Sequence, residues 1–280
     1  MAEITAAMVK ALRERTGLPM MDCKKALQET GGDEQQAVDW LRKQGIKTKE
    51  TRIGRETSAG RVAVYADHAK GVGTMIELMC ESAPVANSPE FVAFANDLAK
   101  QLAVGPGAKT AEELLAQPSL SKPGMTFAEQ KDDMFNRIRE VFNLGRILRF
   151  DAPCGAYAHH DGSLGALVEV SGGTAEAAKD VAMHVAAAKP AVVSKQDLDP
   201  AAVDKERAIL TEAARSEGKP ENIIAKMIEG RLKNFFAEQV LLEQPFVKDD
   251  KQTVGKIADA AKMKVVRFVR WELGKETGQS

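Results

Sequence analysis

The sequence predicts an α+β protein, and three observations carry that reading. Amphipathic helical segments with capping signals fill residues 1–54. Two runs of strand, turn, strand and helix follow, one within 55–145 and one opening 146–280. From about 199 to 243 the pattern is wholly helical, with two apolar stripes on either side of Gly218-Lys219-Pro220. The expected architecture is an N-terminal three-helix bundle (1–54) and two small antiparallel-sheet-plus-helix subdomains (55–145 and 146–280). The second carries an inserted antiparallel helical hairpin at about 199–243.

In the bundle, Thr5 can cap a helix from Ala6 to about Arg15, with Met8, Val9 and Leu12 on one face and Gly17 ending it. Pro19 restarts the chain. At 100° per residue the next helix gathers Cys23, Ala26, Leu27 and Thr30 on one side, turns Met21 and Lys25 the opposite way and leaves Met20 and Lys24 at the edge. Gly31-Gly32 closes it, and Asp33 with Gln36 forms a capping-box pattern leading into Ala37, Val38, Trp40 and Leu41. Met20 and Met21 have two readings: plugs for a small core, or, for the outward Met21 beside Lys24 and Lys25, a contact for a partner helix bearing apolar and acidic groups.

Lys47 to Ala59 is polar and mixed in charge and reads as a linker. Gly60–Ala66 and Gly73–Cys80 alternate like strands around a turn through Asp67 and Gly71. Ser88 caps a helix with Pro89 in its first turn and a stripe of Phe91, Phe94, Leu98 and Leu102. The same order recurs: strands at Ile147–Phe150 and Gly155–His160, an Asp161-Gly162 turn, and a strand at Leu164–Val170. Thr174 then caps a helix from Ala175 to Ala188 that Lys189-Pro190 stops. We read two subdomains duplicated in architecture.

Asp199-Pro200 starts the first hairpin helix, with Val203, Ile209, Leu210, Ala213 and Ala214 as its stripe; Ile223, Ile224, Met227, Ile228 and Leu232 form the second. The hairpin either projects, as a surface for a homodimer, a 2:2 complex or a partner, or packs within the molecule. A short helix near Thr253–Ala261, a strand around Val265–Leu273 and a loosely held polar tail complete the chain.

Composition bounds function. The 280 residues, 44% hydrophobic and 28% charged, leave room for two or three domains, and the net charge of −1 gives no electrostatic footprint for nucleic acid. A partner protein is favoured over RNA. Cys23, Cys80 and Cys154 lack CxxC spacing and suit reduced core thiols in a cytoplasmic protein. No signal peptide or membrane-length apolar run is visible, and His68, His159, His160 and His184 lack further ligands at metal spacing. No Walker loop, GxSxG, HExxH or GxGxxG occurs, so neither enzyme chemistry nor a cofactor is expected.

The run Thr16-Gly-Leu-Pro-Met-Met-Asp-Cys-Lys-Lys-Ala-Leu27 resembles the N-terminal signature of the elongation factor Ts family, bacterial type. Met183-His-Val-Ala-Ala-Ala-Lys-Pro190, Glu229-Gly-Arg-Leu-Lys233, and Gln244-Pro-Phe-Val247 with Thr253-Val-Gly255 resemble further family stretches, in the family's order. The resemblance implies a UBA-like N-terminal bundle and a guanine-nucleotide exchange factor that binds elongation factor Tu, GDP-bound and nucleotide-free. It further implies docking through Met20, Met21, Asp22 and Lys24. Tyr157-Ala-His159 resembles the family's Tyr-x-His, which would place His159 near the partner; the plain alternative is a satisfied surface histidine beside a turn.

One stretch departs. After Cys80 the family usually carries Thr-Asp-Phe-Val-Ala-Lys-Asp, whose Phe wedges between helices of elongation factor Tu and helps dislodge magnesium. Here Ser82-Ala83-Pro84-Val85-Ala86-Asn87 stands instead, so the acidic residue is Ala83 and the aromatic wedge is Pro84. Pro84 can fill an apolar slot rigidly but lacks the ring's area and edge. A ubiquitin-associated-like adaptor, or a Tu-binding protein with weak or no exchange activity, is the alternative this departure supports.

Overall fold

The computed structural model describes residues 4–52, 54–217 and 220–275. The α+β class holds: helices alternate with small sheets, two of them three-stranded. Thr5 Oγ1 accepts from the Met8 N–H at 3.3 Å and starts α1 (Ala6–Thr16), which Gly17 ends in the left-handed region at φ 67°. Pro19 precedes α2 (Met20–Glu29). Asp33 Oδ1 accepts from the Gln36 N–H at 2.8 Å at the head of α3 (Glu34–Arg52). The other half of the expected capping box is replaced: Gln36 Nε2 donates to the Asp33 carboxylate at 3.2 Å, while the Asp33 N–H goes to Thr30 O.

The linker expected from Lys47 is helix as far as Arg52. Lys, Glu and Arg propagate a helix readily, and no Gly or Pro lies between Lys47 and Gly54, which sits at φ 92°.

β1 (Ala59–Asp67) and β2 (Val72–Cys80) form the expected hairpin, followed by a one-turn helix α4 (Ala83–Ala86) and α5 (Pro89–Val104). All of Phe91, Phe94, Leu98 and Leu102 on α5 are buried. Two helices that sequence reasoning passed over come next, α6 (Ala111–Leu115) and α7 (Phe127–Ile138). A full capping box starts α7: Thr126 Oγ1 accepts from the Glu129 N–H at 3.2 Å, and Glu129 Oε2 accepts from the Thr126 N–H at 2.9 Å.

The strand expected at Ile147–Phe150 is longer, β3 (Asn143–Phe150), and joins the first sheet in the order β1-β2-β3, not the second. A bidentate pair fixes it there, with Arg146 Nε and Nη2 donating to Glu77 of β2 at 2.9 and 2.7 Å. The second sheet is β4 (Cys154–Ala158), β5 (Leu164–Gly172) and, after several further elements, its third strand. α8 (Ala175–Ala188) starts on Thr174, whose Oγ1 accepts from the Ala177 N–H at 3.2 Å.

The helical hairpin is α9 (Pro200–Ser216) and α10 (Glu221–Gln239); residues 218 and 219 of its expected break lie outside the described residues. Its stripes are only partly covered. Ala214, Ile224 and Leu232 are buried, whereas Ile209 and Ile223, expected on the packed faces, stand about half exposed. Two helices meeting along one seam leave the flanks of each stripe open, and these isoleucines occupy the flanks. A small hairpin not anticipated, β6 (Pro245–Phe246) with β7 (Asp249–Thr253), leads into α11 (Val254–Ala260) and β8 (Met263–Glu272), the third strand of the second sheet. The order β4-β5-β8 repeats β1-β2-β3, with a helix after each hairpin.

The chain divides into two compact units. The first comprises the chain up to Gly60 with Leu78–Leu98 and Ala108–Gly145. Its helical bundle closes on Val9, Leu12, Leu18, Cys23, Leu27 and Leu41, and ring contacts of Phe94 with Phe127 (5.9 Å) and Phe91 with Phe142 (5.5 Å) fill the remainder. The second comprises Arg61–Glu77, Ala99–Gly107 and the chain from Arg146 on; Val168, Val181, Val185, Leu241, Val254 and Phe268 lie in its core. Among the described residues, no helix is long and apolar enough to cross a membrane.

Candidate docking site

Gly17 turns the chain sharply between α1 and α2, which opens a groove of about 990 Å³ lined by Ile4, Val9, Arg13, Gly17, Met20, Met21 and Lys24, among others. Met20 is 50% exposed and Met21 72%. The core-plug reading fails for both, because Cys23, Ala26 and Leu27 fill the bundle and leave the methionines outside. Lys10, Arg13 and Lys24 give the groove a cationic rim, interrupted by Glu14. Lys25 is used differently, with its ammonium 5.9 Å from the centre of the Trp40 ring. An apolar floor with basic edges suits a helix carrying apolar and acidic residues.

Asp22 shares the first turn of α2 with the methionines but does not present its carboxylate to the groove alone. It accepts from Arg139 Nη2, just beyond α7. The neighbouring Glu140 reaches the departing loop: Ser82 N–H and Oγ donate to its two carboxylate oxygens at 3.0 and 2.5 Å. Val141 N–H donates to Glu81 Oε1 at 2.9 Å. Sequence reasoning missed these residues; the only signal was the Thr126-x-x-Glu129 box that announces α7.

The loop itself is helical. Ser82 is its extended N-cap residue, Pro84 fits the first turn where its missing N–H costs nothing, and Asn87 Nδ2 donates to Ala83 O at 3.0 Å. Ala83 and Pro84 are exposed, Val85 half-buried and Ala86 buried. The Pro84 ring therefore fills no slot within the chain. Burial pushes the nearby Cys80 thiol up to about 11, and that of Cys154 in the second unit to about 12, which leaves both unreactive.

His159 belongs to the second unit, whereas Met20, Met21, Asp22, Lys24 and Ser82 to Val85 belong to the first. It follows β4 in a tight turn, its Nδ1 2.8 Å from Asp161 Oδ1 and its ring 4.2 Å from that of His160. Hydrogen bonds from Ser163, and then from His159, hold the Asp161 carboxyl far below the usual carboxylate range. His159 is thus a half-exposed, oriented imidazole. Among the described residues, no group of three or more His, Cys, Asp or Glu side chains could hold a metal ion.

Two of the motif stretches meet inside the second unit. His184 of α8 is 1% exposed, with Nε2 2.9 Å from Gln244 Oε1 and Nδ1 accepting from the Val247 N–H at 3.2 Å. Gln244 Nε2 donates in turn to Glu238 O at 2.9 Å. In the Glu229–Lys233 stretch, Leu232 is buried and Arg231 pairs with Glu217 at 3.0 Å.

Comparison with known proteins identifies the family. The family model described as Elongation factor TS matches residues 81–275. Elongation factor Ts of Methylococcus capsulatus is 43% identical over 273 residues, covering 97% of this chain and 92% of its own. That of Alkalilimnicola ehrlichii is 42% identical with the same coverage, and that of Renibacterium salmoninarum 42% identical over 98% of this chain and 100% of its own. With a shared motif order, a matching family model and relatives aligned along nearly the whole chain, this protein belongs to the elongation factor Ts family.

Proposed function

We propose that this chain is a guanine-nucleotide exchange factor for elongation factor Tu, acting in translation elongation by docking and disturbing the partner's magnesium and nucleotide site. The observation that carries the proposal is the groove beside Met20 and Met21: two exposed methionines with a basic rim, on the bundle that bears the family signature. Such a factor needs no catalytic side chain and is not an enzyme. It binds the nucleotide-free partner more tightly than the GDP-bound one, and linkage then obliges it to weaken GDP by the same factor. Met20, Met21, Lys24 and His159 supply docking contacts in this reading, Asp22, expected among them, pairs with Arg139 and holds the docking helix instead, and the Ser82–Val85 turn reaches toward the magnesium site.

A second reading, a Tu-binding adaptor with weak exchange, is favoured by the exposed Ala83 and Pro84, which offer neither a carboxylate nor an aromatic ring. Titrating the protein into elongation factor Tu from the same organism, loaded with fluorescent GDP, separates the two. Faster nucleotide release that saturates with factor supports exchange. Binding without acceleration supports the adaptor, and absence of binding removes both.

A further inference from the structure

Arg139 occupies the left-handed region at φ 66° at the end of α7, a conformation that glycine adopts more easily than any residue with a Cβ. Its side chain reaches Asp22 in the first turn of the docking helix. The next residue, Glu140, holds both polar hydrogens of Ser82, and the next, Val141, donates to Glu81. Two residues back, Arg137 pairs with Glu90 of α5 and Asp133, and its stem lies where a Cβ on Gly17 would fall, 2.8 Å from Arg137 Cδ. All these residues belong to the first compact unit.

The end of α7 therefore touches both elements that the exchange reading assigns to the partner: the α1–α2 groove, through Gly17 and Asp22, and the α4 turn, through Ser82. We propose that Arg139 and Glu140 are positioning residues that hold the docking helix and the Ser82–Val85 turn in one fixed register, so that docking at the groove delivers the turn to the nucleotide site. The inference rests on the exchange reading above. Its physical content is preorganisation: two contacts made by one rigid body cost a single loss of rotational and translational freedom, whereas two loosely joined elements must each be ordered during exchange.

The test is Arg139→Gly, which keeps the left-handed backbone, removes the reach to Asp22 and leaves the groove's own side chains in place. In the fluorescent-GDP assay the factor concentration for half-maximal effect should stay near that of the parent chain, while the saturating rate falls by roughly five- to tenfold. Asp22→Asn should do the same. The double variant should be no worse than Arg139→Gly alone, because that change already breaks the interaction that Asp22→Asn removes. Arg139→Lys, which keeps a cation, should recover part of the rate. Glu140→Ala should lower the saturating rate, and Glu140→Gln, which can still serve the Ser82 N–H and hydroxyl, should recover much of it. If Arg139→Gly lowers the melting temperature, Asp22→Asn carries the comparison, since it leaves the end of α7 untouched. A parent chain that accelerates release alongside variants that match it overturns the bridge alone. A loss confined to half-saturation overturns it too, since that marks a docking contact. A parent chain that fails to accelerate release overturns the exchange reading and the bridge with it.

Discussion

Replacing His184 with Phe tests the junction of the two motif stretches. The ring's bulk is kept, but Gln244 Oε1, on a residue 3% exposed, loses its donor, and the Val247 N–H loses its acceptor. A stranded buried polar group costs about 1–3 kcal/mol, and the added apolar ring offsets part of the sum, so a loss of about 2–4 kcal/mol is expected. That is a large share of the ~5–15 kcal/mol that holds a domain together. Guanidinium unfolding at pH 7.5, followed by Trp271 fluorescence in a Trp40→Phe background, reads the second unit; the midpoint should fall with little change in slope. Because Nδ1 accepts a hydrogen bond in a buried site, the native ring is neutral, and desolvation lowers its pKa from 6.5. The unfolded chain then takes up the proton first. This contribution to stability is complete above ~6.5 and shrinks as pH falls, by up to about 1.4 kcal/mol per pH unit. The Phe variant has no such proton to bind, so its deficit should narrow between pH 7.5 and 5. A loss below about 1 kcal/mol at pH 7.5 would show that the two bonds are not made in solution. A gap constant with pH would refute the neutral, desolvated ring.

Met21→Ala should leave the melting temperature unchanged, because the side chain is 72% exposed, and should weaken partner binding by about 1–2 kcal/mol, roughly five- to thirtyfold in Kd by calorimetry. Unchanged affinity would remove Met21 from the interface. The pair Ala83→Asp and Pro84→Phe should raise GDP release from an ordinary elongation factor Tu without changing stability, since both positions are exposed; no gain would mean that the ring is dispensable there or finds no room. Gly155→Ala should destabilise the second unit by about 1–3 kcal/mol in thermal unfolding, because the new Cβ would lie 2.0 Å from Ala178 O and α8 would have to lift off β4.

What could be read from the sequence was what short-range chemistry decides. Thr5, Asp33, Thr174 and Asp199 start their helices as expected because each cap is a contact within a few residues. Met21 could be placed outside its helix because the helical period alone separates it from Cys23 and Leu27. The errors lie where distant residues decide. Ile147–Phe150 reads equally well as a strand of either sheet until Arg146 meets Glu77, many residues earlier in the chain. The same limit hid the candidate site's internal wiring: nothing near Arg139 or Glu140 in sequence announces Asp22 or Ser82. α7 is a different case, since its capping box was visible and was passed over.

The departure at Ala83 and Pro84 reads differently once the turn is seen in place. Its anchors are Ser82 on Glu140, Cys80 Sγ donating to Ser82 O at 3.3 Å, and the buried Ala86, none of which involves the two altered side chains. Pro84 sits in the first turn of α4, where a proline is accommodated without losing a hydrogen bond, and Ala83 contributes to the fold only its carbonyl, to Asn87 and the helix end. The scaffold thus sets where these two side chains point while placing almost no demand on what they are. It follows that any consequence of the change falls on the face presented to a partner and leaves folding untouched. Exchange and stability should therefore vary independently at these two positions, whereas at Ser82 and Glu140 a change that frees the turn alters the register on which, in the proposed reading, the saturating exchange rate depends.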